Sequence, residues 1–191
     1  MKKINIIFIL AILTFSAANG QFTKLGGGLG YTTGFPFHQQ TWDANKSGHY
    51  DVSVKGIYEL NLPVHISPSF TFFMPHVTKD ISSKTSVTAM MFDLNGHYVF
   101  NSLDNFEFYG LAGIDILLAW KKETFNGSSS SKESDNALGL NIGAGTCLKM
   151  TEQIDLYLEA KYILSKYDQF MLNVGVLINL QWFSKNENPG I

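Results

Sequence analysis

Tyr50-Asp51-Val52-Ser53-Val54-Lys55-Gly56-Ile57-Tyr58-Glu59-Leu60 alternates. Tyr50, Val52, Val54, Tyr58 and Leu60 are apolar or aromatic, and between them stand Asp51, Ser53, Lys55 and Glu59. Successive side chains of a strand point to opposite faces. Extended, this stretch has one apolar face and one charged face. A helix, with its period of 3.6, would scatter the same residues around its axis.

The parity recurs. Seven segments between Tyr50 and Trp182 keep every charge off the apolar parity, while the opposite parity carries eleven: Asp51, Lys55, Glu59, Asp93, Glu107, Asp115, Lys121, Lys149, Asp155, Glu159 and Lys161. The apolar face is too broad and too aromatic for an ordinary water-facing surface. It fits a barrel whose outer solvent is lipid.

Eight extended stretches are expected: Lys24 to Thr33, Tyr50 to Leu60, Val64 to Met74, Thr85 to Phe100, Phe106 to Lys121, Leu138 to Met150, Ile154 to Leu164 and Phe170 to Trp182. The first puts Leu25, Leu29 and Tyr31 on one parity and Gly26, Gly28 and Gly30 on the other. Short connections at Asn61 to Pro63, Asn101 to Asn105 and Thr151 to Gln153 alternate with longer ones at Phe35 to His49, Pro75 to Lys84 and Glu123 to Asn136. Ser165 to Gln169 is the short exception. Short periplasmic turns and longer outer loops are the pattern of outer-membrane barrels. An even strand count then places both termini in the periplasm.

The aromatic residues mark two levels. Tyr31, Tyr50, Phe72, Trp120 and Tyr162 fall near the outer strand ends, and Tyr58, Tyr98, Phe106 and Trp182 near the inner ends, all on the lipid-facing parity. Membrane interfaces favour such girdles.

The N-terminus reads as a secretory signal peptide over 1–20. Lys2 and Lys3 precede the apolar run Ile4 to Phe15, and Ala18-Asn19-Gly20 is a small-residue cleavage site. The barrel is expected over 21–183, with a short periplasmic tail at 184–191. Removing Lys2 and Lys3 from the 14 basic residues leaves 12 lysines against 16 acids, a net charge of −4. Arginine is absent, and no basic patch of the nucleic-acid-binding kind appears. A single cysteine, Cys147, excludes an internal disulfide framework. The five histidines are scattered without ligand-like spacing, so neither a metal nor a cofactor is expected. His65-Ile66-Ser67 puts a histidine and a serine on one strand face, as a nucleophile and its base require. No third partner is evident, and the expectation is of no enzymatic activity.

The chain resembles the small eight-stranded outer-membrane β-barrels, the outer membrane protein beta-barrel domain proteins. The carriers are Leu25-Gly26-Gly27-Gly28-Leu29-Gly30-Tyr31, Tyr109-Gly110-Leu111-Ala112-Gly113-Ile114, Leu140-Asn141-Ile142-Gly143-Ala144-Gly145 and Leu180-Gln181-Trp182-Phe183. The resemblance implies an all-β, antiparallel, up-and-down barrel in the outer membrane. It also implies contact with outer-membrane lipids and with the barrel-insertion machinery, which reads a last strand ending in an aromatic residue. Here Phe183 is followed by eight more residues.

Eight strands enclose room for side chains or one small ligand. The lumen is therefore expected to hold a polar network of Asp51, Lys55, Glu59, Asp93, His97, Glu107, Asp115, Lys121, Lys149, Asp155, Glu159 and Lys161, paired because unpaired buried charge is costly. Inward glycines leave room for larger residues such as Tyr109 and Tyr157. The leading expectation is a monomeric, plugged barrel with a structural or surface-interaction role through its outer loops. A narrow pore or small-ligand carrier is the alternative, followed by an outer-membrane lipid hydrolase or a secreted lipocalin-like binder.

Overall fold

The computed structural model describes residues 22–33, 48–60, 63–79, 83–103, 105–125 and 129–180. The stretch expected as a signal peptide, most of the Phe35 to His49 connection, Trp182, Phe183 and the expected tail lie outside them. Eight strands run β1 Lys24–Thr32, β2 His49–Glu59, β3 Val64–Lys79, β4 Ser83–Leu103, β5 Phe106–Phe125, β6 Ser129–Lys149, β7 Ile154–Ser165 and β8 Gln169–Asn179. Each pairs antiparallel with the next, and β8 pairs with β1, closing the barrel. Followed around the circuit, the register returns to β1 displaced by roughly ten residues, which tilts the strands against the barrel axis.

The parity sorts the side chains. In β2, Tyr50, Val52 and Val54 are exposed while Asp51, Ser53 and Lys55 are buried between them. Phe92, Leu94, Ile114, Ile116, Leu140, Ile142, Val174 and Val176 form part of the exposed apolar belt. Among the described residues no helix is long and apolar enough to cross a membrane.

Two irregularities in β3 coincide with its prolines. The β2–β3 ladder has a gap between Lys55↔Ser69 and Tyr58↔Ile66, with the register kept across it, where Pro68 has no N–H to give. The ring of Phe22 packs over Gly56 at this gap, about 2.9 Å from where a Cβ would stand. The β3–β4 register shifts between Phe73 and His76, around Pro75.

That shift is where the barrel becomes something else. The last β2–β3 pair is Asp51↔Phe73, and the first β6–β7 pair is Gly139↔Ser165. Beyond them β3, β4, β5 and β6 continue pairing with one another, up to Lys79↔Lys84, Ser83↔Phe125 and Phe125↔Ser129. Ser129 to Leu138 alone amounts to roughly 30 Å of strand at about 3.4 Å per residue. The expected loops Pro75 to Lys84 and Glu123 to Asn136 are thus mostly strand. Together they build a four-stranded wall standing above one side of the barrel. The serine-rich run Ser129 to Ser134 is the outer end of β6.

Candidate functional site

The inward side chains stack in layers. At the centre lies a polar layer held by two buried ion pairs. Lys161 Nζ donates to Asp93 Oδ1 at 2.7 Å, with both side chains at most 3% exposed. Asn141 Nδ2 donates to the same oxygen at 2.9 Å, and Ser69 Oγ to Asp93 Oδ2 at 3.0 Å. Lys55 Nζ donates to Glu159 Oε2 at 2.6 Å, and Tyr109 OH reaches that oxygen at 3.1 Å. His97 stacks on Tyr109 with ring centroids 4.5 Å apart, its Nε2 3.8 Å from Glu159 Oε2. Asn173 Nδ2 donates to Asp51 Oδ1 at 3.0 Å. Charges this deep require full pairing, because each desolvated ion alone costs several kcal/mol.

Asp115 differs from the rest. It is buried, stands directly across β4–β5 from Asp93, and neither carboxyl oxygen has a hydrogen-bond partner among the described residues. Like charges directly opposite on neighbouring strands oppose pairing.

Nearer the barrel end with the short connections, Ile57, Tyr109, Leu111, Cys147, Tyr157 and Leu177 form an apolar layer. Below it runs an ionic rim. Lys24 bridges Asp155 at 2.9 Å and Glu59 at 3.2 Å, and Lys149 pairs with Glu107 at 2.7 Å. A shallow vestibule opens here, lined in part by Lys24, His65, Glu107 and Cys147. Toward the outside a second apolar layer closes the lumen: Phe73, Val87, Ala89, Met91, Leu117, Ala119, Ala137, Ile163, Tyr167 and Met171.

Of the twelve residues expected in one lumenal network, the structure separates three groups. Asp51, Lys55, Asp93, His97, Asp115, Glu159 and Lys161 share the central layer, and Glu59, Glu107, Lys149 and Asp155 form the rim. Lys121 belongs to neither: it pairs with Glu123 at 3.3 Å, up in the wall. Lys24, absent from the expected set, shares the inward parity of Gly26, Gly28 and Gly30, and that parity could have found it. The apolar layers were also legible, because Ala89-Met90-Met91 and Leu117-Leu118-Ala119 are apolar on both parities.

The glycines work as the layers require. A Cβ on Gly145 would stand 2.5 Å from the Tyr109 ring, one on Gly28 would run into Tyr157 Oη, and one on Gly30 would meet Asp51 and Asn173. Large inward residues thus lie across the bare backbone of neighbouring strands.

On the outer face Tyr31, Tyr50, Tyr98, Phe106, Trp120 and Tyr162 are exposed, and Phe72 and Tyr58 are half-buried. Tyr31 packs edge-on against Tyr50 with centroids 5.5 Å apart. Above this level a partly buried clamp ties β6 to the β7–β8 turn: Lys166 Nζ donates to Asp135 Oδ2 at 2.5 Å, and Tyr167 OH donates to the same oxygen. The Lys166 and Tyr167 hydrogen bonds hold the Asp135 carboxyl below the usual carboxylate range.

A closed antiparallel barrel with a lipid-facing apolar belt and a charged, packed interior defines a transmembrane outer-membrane barrel. The chain belongs to the outer membrane protein beta-barrel domain family, whose model matches residues 6–179. No curated protein matches the sequence. Solved structures share the fold. Ail, the attachment invasion locus protein of Yersinia pestis, is 16% identical, with a TM-score of 0.56 over 83% of this chain and 99% of that one. The N-terminal barrel domain of Pseudomonas aeruginosa OprF is 18% identical, with a TM-score of 0.52 over 85% and 100%. Neisserial surface protein A is 14% identical, with a TM-score of 0.53 over 82% and 95%. The protein therefore sits in the outer membrane.

Proposed function

We propose that this protein is a non-enzymatic, non-conducting barrel whose work is done on the cell surface by the wall. The observation that carries this reading is the wall itself, a four-stranded sheet raised above a lumen filled with side chains. The outer apolar layer leaves ions no hydrated route, and the paired charges beneath it are committed to one another. Two edges of the wall lack a neighbouring strand among the described residues: no strand pairs with β6 beyond Gly139 on its β7 side, or with β3 beyond Phe73 on its β2 side. Such edges are templates for an added strand. The outer part of β6 carries serines, Lys132 and Glu133, a composition that discourages indiscriminate edge pairing. Ail has been solved with the heparin analogue sucrose octasulfate, which supports looking outside the cell for ligands of barrels of this shape.

The test has two arms. The purified barrel in planar bilayers is expected to show no steady conductance; sustained openings would favour the pore reading. Cells displaying a variant whose β5–β6 hairpin is cut back to the Ala119↔Asp135 pair are expected to keep a heat-modifiable barrel and to lose adhesion to immobilised glycans and matrix proteins. Equal adhesion by both would remove the wall from the function.

A further inference from the structure

The wall separates its charges by face. On the inward parity stand Glu123, Glu133 and Asp135, with Glu123 engaged by Lys121 and Asp135 by Lys166 and Tyr167. On the outward parity stand Lys79, Lys84, Lys122 and Lys132, all exposed, with no ion pair to any described residue. No carboxylate shares that face among the described residues of the wall.

The register gathers these lysines. Lys79 stands directly opposite Lys84, and Lys122 directly opposite Lys132. Lys84 pairs with Thr124, two residues beyond Lys122, so the two pairs meet on a diagonal. Directly opposed side chains in a sheet start about 5 Å apart and diagonal ones about 7–8 Å. The result is one cationic strip running across all four strands at one height. Like charges so placed work against the sheet unless an anion lies among them. Between the lysines the same face presents Ser86, Thr124 and Ser130, whose hydroxyls can donate to an oxyanion.

The strip is also continuous with the lipid-facing surface. Trp120 stands two residues below Lys122 on the same strand and parity, with Leu118 and Ile116 below it and Leu138 beside them. A molecule whose acyl chains rest on Ile116, Leu118 and Leu138 carries its headgroup past Trp120 to the lysines. We infer that the exterior face of the wall binds the phosphate groups of an anionic glycolipid of the outer leaflet, through Lys79, Lys84, Lys122 and Lys132. The site lies on the membrane side of the protein's own cell and is independent of what the strand edges recognise.

The full-length barrel, refolded in a zwitterionic detergent, would be titrated with phosphorylated lipid A and with the same lipid A after dephosphorylation. Binding to the phosphorylated form is expected, weakening as salt rises. The variant K79Q/K84Q/K122Q/K132Q is expected to lose affinity at least tenfold while keeping its heat-modifiable mobility, and the matching arginine variant to retain binding. Equal affinity for both lipid A forms, or unchanged binding by the glutamine variant, would overturn the assignment. So would lysine-dependent capture of a soluble sulfated glycan without any binding of lipid A. If the glutamine variant failed to fold, the arginine variant and the phosphate dependence of the unaltered protein would still decide the question.

Discussion

The body of the barrel and the wall above it obey one backbone geometry and distribute their charges oppositely. In the body the outward parity is Leu, Ile, Val and Phe, and the charges turn inward to pair at Lys161–Asp93 and Lys55–Glu159. In the wall the same outward parity carries Lys79, Lys84, Lys122 and Lys132, while the inward side begins with Val87, Ala89, Leu117 and Ala119. The strands do not change between the two regions; the solvent does. Below, lipid surrounds the sheet and polarity must hide in the lumen. Above Trp120 the outward face leaves the acyl chains for headgroups and water, and the apolar demand that remains comes from the layer that closes the lumen.

Breaking the central layer should have the largest effect. Lys161→Met leaves Asp93 buried without its cation and is expected to cost about 3–5 kcal/mol, read from urea unfolding of the refolded barrel in detergent. Pairing it with Asp93→Leu should recover most of that loss, since replacing both partners removes the orphaned charge. Charge removal in the wall, as in Lys122→Gln, should stay within about 0.5 kcal/mol by the same measurement. Similar costs in both regions would show that burial does not separate them.

Next comes the glycine-and-ring packing of the body. Gly145→Val drives a side chain into the Tyr109 ring and is expected to destabilise by about 1–3 kcal/mol. In a Tyr109→Ala background the same change should cost much less, because the obstructing ring is gone. Additive losses would mean that Gly145 is needed for its backbone alone.

Asp115→Asn sharpens the comparison in the other direction. Removing the charge that faces Asp93 is expected to leave stability unchanged or raise it by up to about 1 kcal/mol. A loss comparable to that of Lys161→Met would show that Asp115 is paired as tightly as its neighbour.

The smallest effect belongs to the clamp between β6 and the β7–β8 turn. With the Asp135 carboxyl held low, the stability it lends is complete above the ordinary carboxylate value of about 4. That stability is lost as pH falls through the lower folded value. Amide exchange in the Ser165 to Gln169 turn should therefore quicken only at strongly acid pH, and Asp135→Asn should flatten that dependence.

How much of this could be read beforehand divides along the same boundary. The belt, the strand number and the inward charges of the body followed from alternation, because lipid on one side and a packed lumen on the other impose it. In the wall that asymmetry weakens, and Ser129-Ser130-Ser131-Lys132-Glu133-Ser134 carries no alternation to betray a strand. The same stretch pairs residue by residue with β5. Lys121 shows the other limit. Parity assigns it a side correctly but says nothing of its height, and height decides whether its partner is a lumenal acid or Glu123. Lys24 was readable from the parity of its own strand, since it begins the series that Gly26, Gly28 and Gly30 continue.

The long hairpins of the wall have a consequence for how the barrel reaches its final position. Both tips must cross the hydrocarbon during insertion, carrying Lys79, Lys84, Lys122 and Lys132 with them. A lysine held at the midplane on a barrel's lipid face costs roughly 2–4 kcal/mol, so the four together raise a barrier on the order of 10 kcal/mol in either direction. The wall therefore acts as a kinetic lock. It makes unassisted insertion slow, and once the tips have emerged it locks the barrel's orientation against withdrawal, whatever the equilibrium stability of the strands beneath it.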